Sequence, residues 1–188
     1  MKVTQLERIL FDPLGWIHPE RVAIPPDFSQ GRCRSVINEV LRVKFQLPVP
    51  DDVKSDQGIT SLFIAHWSLL PHVAFLLCCQ RYRAQLVGQR LYTRLPDAVR
   101  QFTLLDLFPS RSEQAEKVTC VTCLYQRMYQ ELAGFESQLT APLRPCLPLL
   151  FPPAKTPILT NTTLHPVNLL TLKLAIQHVQ RNVSTFSV

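Results

Sequence analysis

The chain has 188 residues, 46% of them hydrophobic and 18% charged, which excludes wholesale disorder and allows a real core without disulfide staples. Its net charge of +6 suits nucleic acid or an acidic protein surface. The arginines are scattered, however, apart from a local excess at Arg81, Arg83, Arg90, Arg94 and Arg100, and no DNA- or RNA-binding motif accompanies them. A docking face for a protein partner is therefore preferred to the alternative, a basic helical nucleic-acid-binding regulator.

Val3 to Phe11 predicts a short amphipathic helix with Val3, Leu6, Ile9 and Leu10 inward, ended by Asp12-Pro13. Met1 to Phe11 lacks the apolar centre of a signal peptide, so the chain is expected in the cytosol with reduced thiols. The connection from Phe11 to Pro26 holds Trp16, Ile17, Val22 and Ile24, too apolar to leave in water, so it is expected to be ordered. Within it, His18-Pro19-Glu20-Arg21 suits one helical turn with Pro19 first. From Ser29 to Phe45 the spacing predicts a helix with Val36, Ile37, Val40, Leu41 and Val43 inward and Arg34, Asn38, Glu39 and Arg42 outward. Leu47 to Gly58 is a solvated acidic loop.

Ser61 to Leu91 is the densest apolar stretch and is expected to form a kinked helix pair around which the rest packs, broken near Pro71. Every residue from Val73 to Cys79 is apolar, which predicts burial all round. Further along, Phe75, Cys79, Tyr82 and Leu86 share one stripe, flanked by Arg83 and Arg90 on a helix running to Leu91. The apolar run is about half the roughly 20 residues a bilayer span needs, so no transmembrane segment is expected. A further helix starts at Asp97 and runs to about Phe108. Ser110 to Glu113 fits a capping box. After it, Val118, Val121, Tyr125, Met128, Leu132, Phe135 and Leu139 form one seam along about six turns. Ala141 to Thr160 is too rich in proline for regular structure, yet Leu147, Leu149, Leu150 and Phe151 must be covered, which describes a strap across a core. Pro166 to Val183 is a last helix, with Val167, Leu170 and Leu174 opposite Leu169, Leu172 and Ile176.

No stretch alternates long enough for a sheet. The fold class is all-α: a single irregular helical domain over residues 1–188, with about six to eight helices and ordered proline-rich connections. Within it lie an N-terminal helix and connection (1–28), a strap (141–165) and a polar tail (184–188).

Chemistry is sparse. Cys120 and Cys123 form a C-x-x-C, but no second ligand pair follows at zinc spacing, and on a helix the two thiols are expected to point about 60 degrees apart. Cys78 and Cys79 read as small core residues. His66, His72, His165 and His178 have no carboxylate or nucleophile beside them in sequence, and five scattered glycines make a phosphate loop improbable. No enzyme, metal or cofactor is expected.

Three stretches, FDPLGWIHPERVAIP (11–25), WSLLPHVAFLLCCQRYRAQL (67–86) and LPLLFPP (147–153), together resemble the SctK family of bacterial type III secretion systems, closest to its OrgA and MxiK branch. The resemblance runs loosely from Phe11 to about Arg181, and it implies a helical, non-enzymatic cytoplasmic adaptor of the sorting platform. Such an adaptor links the forkhead-associated-like cytoplasmic domain of the inner-membrane ring protein SctD to the pod protein SctQ. The pods in turn carry the SctL stator and SctN ATPase. The motif positions carried over are Phe11, Asp12, Pro13, Trp16, His18, Pro19, Arg21, Leu70 and Pro71, with Arg81 and Arg83, and structural roles are open to them. The Cys78/Cys79 pair is not part of the family pattern. Partner contact is expected from the proline-bounded polar loops and from Arg81, Arg83 and Arg90.

Overall fold

A computed structural model describes residues 4–25, 28, 31–48, 58–107, 120–153 and 167–182. Every regular element among them is helical, as expected for an all-α chain. The α-helices are α1 (Gln5–Phe11), α2 (Gly31–Lys44), α3 (Ile59–Ala65), α4 (Leu70–Arg81), α5 (Arg83–Leu86), α6 (Arg90–Thr93), α7 (Asp97–Thr103), α8 (Val121–Ala133) and α9 (Leu169–Arg181). They fall into two compact units, one drawn from residues 1–68 and 135–153, the other from 69–134 and 154–188. No single helix among the described residues is long and apolar enough to cross a membrane.

In the first unit, α1 opens on a capping box. The Thr4 hydroxyl accepts the Glu7 amide at 3.2 Å, and the Glu7 carboxylate accepts the Thr4 amide at 2.6 Å. Those bonds lower the Glu7 pKa. Ile9 and Leu10 are buried, and α1 packs against α2 and α3. The predicted turn at Pro19 is present as a 3-10 turn, Pro19–Arg21, with proline in its first turn. Trp16 meets Trp67 edge-on at 5.4 Å, and Phe63 meets Phe135 at 6.0 Å. The strap buries Leu143, Cys146, Leu147, Leu149, Leu150 and Phe151, and it contains a regular piece that proline content argued against, the 3-10 turn Leu147–Leu150.

The facing of α2 departs from expectation. Val36, Val40 and Val43 are 63%, 54% and 71% exposed, whereas Leu41 and the supposedly outward Asn38 are buried. Polar bonds to Asn38, described below, orient this helix in place of its apolar period.

The second unit is built around α4, which packs against α7, α8 and α9. Val73 to Arg81 are all buried, as the run of apolar residues required. Pro71 begins this helix instead of interrupting one: it lies in the first turn, where its missing N–H costs nothing, and the break falls at His66. The run from Ser61 to Leu91 is thus divided, α3 in the first unit and α4 in the second. Nor does one helix reach from Val73 to Leu91. It stops at Arg81, and α5 and α6 are separate, with Gln89 extended between them.

α7 ends at Thr103, short of the expected Phe108; the Thr103 hydroxyl folds back onto the Val99 carbonyl at 2.7 Å. The expected capping box at 110–113 and Val118 lie outside the described residues. The seam predicted over six turns is interrupted, because α8 ends at Ala133 and Phe135 and Leu139 belong to the first unit. Within α8 the buried positions are Leu124, Arg127, Met128, Glu131 and Leu132, while Tyr125 is 45% exposed and stacks on Phe75. Asn168 caps α9 by accepting the Thr171 amide at 2.7 Å. Leu172, Ala175, Ile176 and Val179 are buried, with Leu170 and Leu174 outside.

Candidate functional site

The residues of the first motif converge on one another. Asp12 accepts from Arg34 Nη2 and from Asn38 Nδ2, both at 2.7 Å, and Asn38 Oδ1 accepts the Leu14 amide at 2.9 Å. Burial alone would raise the Asp12 pKa, but the bonds from Arg34 and Asn38 and the Arg34 charge outweigh it and hold the pKa below its ordinary value. A Cβ on Gly15 would lie 3.0 Å from Asp12 Oδ2 and 3.1 Å from Arg34 Nη2, so a larger residue there would press on this ion pair. Pro13 is buried, and the Arg42 guanidinium lies over the exposed Phe11 ring, 5.0 Å from its centroid. Trp16 Nε1 donates to the Ile9 carbonyl at 2.8 Å.

The same segment holds the strap. The His18 amide donates to the Leu149 carbonyl at 2.9 Å. His18 Nδ1 accepts the Glu20 amide, and burial lowers the pKa of the imidazole, in keeping with a neutral ring. Arg21 donates from Nε to the Phe151 carbonyl at 2.6 Å and from Nη2 to the Pro148 carbonyl at 2.9 Å. The first and third motifs therefore meet, and their polar groups serve mutual attachment.

The arginine group of the second unit does not form one face. Arg81 is buried; its guanidinium, 3% exposed, donates from Nε and Nη2 to Glu131 at 2.7 Å. The expectation that Arg81 contacts a partner is corrected by this pair, since helix periodicity cannot show a carboxylate 50 positions away. Arg83 is engaged by Asp106 and by the Leu105 carbonyl, and Arg100 by Asp97. Arg90 is exposed, as is Arg94, and neither forms an ion pair among the described residues. Together with Gln89, Leu91, Cys120 and Val121 they line a cleft of about 320 Å³. Of the three arginines expected to contact a partner, only Arg90 lines this cleft.

Cys120 also departs from expectation. It is not helical but caps α8 in extended conformation, and its Sγ lies 3.1 Å from Cys123 Sγ instead of pointing away. Cys78, Cys79 and Cys146 are buried thiols whose pKa values burial raises, that of Cys146 to about 12. Leu70 is fully buried, and Pro71 is half-buried in the first turn of α4.

Comparison with known proteins agrees with the motifs. A family profile described as "Bacterial type III secretion apparatus protein (OrgA_MxiK)" matches residues 6–181. The chain is 31% identical over 180 residues to the oxygen-regulated invasion protein OrgA of Salmonella typhimurium LT2, covering 95% of this chain and 88% of the relative. It is 36% identical over 76 residues to the protein MxiK of Shigella flexneri, covering 40% of this chain and 42% of that protein. No solved structure matches it. The chain belongs to the OrgA/MxiK family of bacterial type III secretion apparatus proteins, the branch of the SctK family to which its three motifs point.

Proposed function

We propose that the protein is a non-enzymatic adaptor of the type III secretion sorting platform, held at the cytoplasmic face of the inner membrane between an SctD-type ring protein and an SctQ-type pod protein. Through the pod it would meet the SctL stator and SctN ATPase indirectly. The family match over nearly the whole chain is the observation that carries this reading.

The chemistry of the surface supports it. The motif side chains are engaged in holding the fold, while each unit leaves a separate outward feature: the valine stripe of α2 in the first and the Arg90/Arg94 cleft in the second. An apolar stripe and a cationic cleft suit two different partners, and the cleft would orient an acidic one.

The test is affinity purification of the tagged chain from its native host, comparing wild type with Arg90→Glu/Arg94→Glu and with Val36→Asp/Val40→Asp. Wild type is expected to recover both the ring and the pod protein, and each variant to lose a different one. A wild-type chain that recovers neither would overturn the adaptor reading; variants that both retain both partners would remove these surfaces from it.

A further inference from the structure

We propose that Cys120 and Cys123 are a redox-active dithiol that closes to a disulfide by exchange with a small anionic disulfide, glutathione disulfide being the fitting class, in the cleft lined by Arg90 and Arg94. Three observations lead there. The two sulfurs lie 3.1 Å apart, already in contact and about 1 Å from the ~2.04 Å of a bond. Their meeting follows from the backbone, because a residue at the helix cap turns its side chain back toward the third helical residue, and Cys123 occupies that position. Cys120 is exposed and lines the cleft, whereas Cys78, Cys79 and Cys146 are buried and Cys33 stands alone on α2.

In the exchange, Cys120 gives up its proton and attacks one sulfur of the oxidant. A Cys120–glutathione bond forms, and the first glutathione leaves as a thiolate that takes up the proton. Cys123, deprotonated in turn, attacks Cys120 Sγ and expels the second glutathione. The protein loses two protons and two electrons, and one disulfide becomes two thiols. Arg90 and Arg94 meet the carboxylates of the incoming tripeptide, which raises its local concentration. Zinc is a poorer occupant, since no group of three metal-ligating side chains forms among the described residues.

Trypsin releases both cysteines in one peptide, 118–127, between Lys117 and Arg127. The full-length reduced chain is equilibrated across a series of reduced-to-oxidised glutathione ratios, quenched in acid, alkylated with N-ethylmaleimide and digested. The peptide is expected to pass in a single two-electron step from doubly alkylated to unalkylated and two hydrogens lighter. Cys123→Ser is expected to stop at a glutathione adduct on Cys120. Substituting Arg90→Gln/Arg94→Gln is expected to slow closure by glutathione disulfide roughly tenfold while leaving closure by the neutral hydroxyethyl disulfide unchanged. A wild-type peptide that stays doubly alkylated, or carries glutathione without closing, overturns the dithiol. A variant that changes closure by the two oxidants to the same extent, or changes neither, overturns the anion subsite.

Discussion

Arg81 and Glu131 show how a residue that looks like surface becomes core. Both side chains are almost fully buried, and each compensates the other's charge in a setting where an unpaired ion is costly. Glu131→Gln is expected to lower the unfolding free energy by about 3–5 kcal/mol in urea titration, because it leaves the guanidinium without its counter-charge. The double variant Arg81→Met/Glu131→Leu is expected to lose less than Glu131→Gln alone. Arg81→Glu would disrupt the fold, so a binding defect from that variant would say nothing about a docking surface. Asp12 gives a second test at this scale, through pH. Its folded pKa lies below its ordinary value of 3.8, so its contribution to stability is complete above that value and is lost as pH falls through the folded pKa. Urea midpoints of wild type and Asp12→Asn, followed from about pH 6 to about pH 3, are expected to differ by a constant amount down to about pH 4 and then converge. A gap that does not narrow at all below about pH 4 would show that the carboxylate's charge is not what the site uses.

At the scale of elements, what local rules govern was legible and what distant bonds govern was not. The short helix that ends before Asp12-Pro13, the turn at Pro19 and the fully buried run from Val73 follow from neighbouring residues alone, and each is present. The orientation of α2 is not legible from periodicity, because three valines outweigh one asparagine in any apolar count. Asn38 nevertheless bonds to Asp12 and to the Leu14 amide, 26 and 24 positions away, and burying it turns the valines outward. Leaving those polar groups buried and unpaired would cost more than exposing a valine face. The two facings predict opposite mutational patterns. Leu41→Ala is expected to cost about 2–5 kcal/mol in urea unfolding. Val40→Asp is expected to change the same measurement by no more than about 0.5 kcal/mol. A severe Val40→Asp and a mild Leu41→Ala would restore the valine-inward orientation. The dithiol is half legible: the C-x-x-C spacing is plain, but helical spacing turns the two thiols apart, and only the extended backbone at Cys120 brings the sulfurs together.

For the molecule as a whole, the described residues are helical throughout their regular elements, as one helical domain gathered around the central apolar run requires, and within it they cluster into two compact units whose segments alternate along the chain. The boundaries at 68/69 and 134/135 fall within or beside apolar stretches, where no change of composition marks them. Each unit has its own buried aromatics, Phe63, Trp67 and Phe135 in one and Tyr82 and Phe102 in the other. The tryptophans make this division measurable. The protein has two, Trp16 and Trp67, and both belong to the first unit, so their fluorescence reports that unit, while far-UV circular dichroism reports helices of both. Glu131→Gln weakens a pair that lies wholly in the second unit. In urea, that variant is expected to show a circular-dichroism transition that begins before the fluorescence transition, with the fluorescence midpoint close to that of wild type. If both signals instead move together to lower urea, the interleaved segments unfold as one cooperative body, and destabilising either unit would remove both proposed partner surfaces at once.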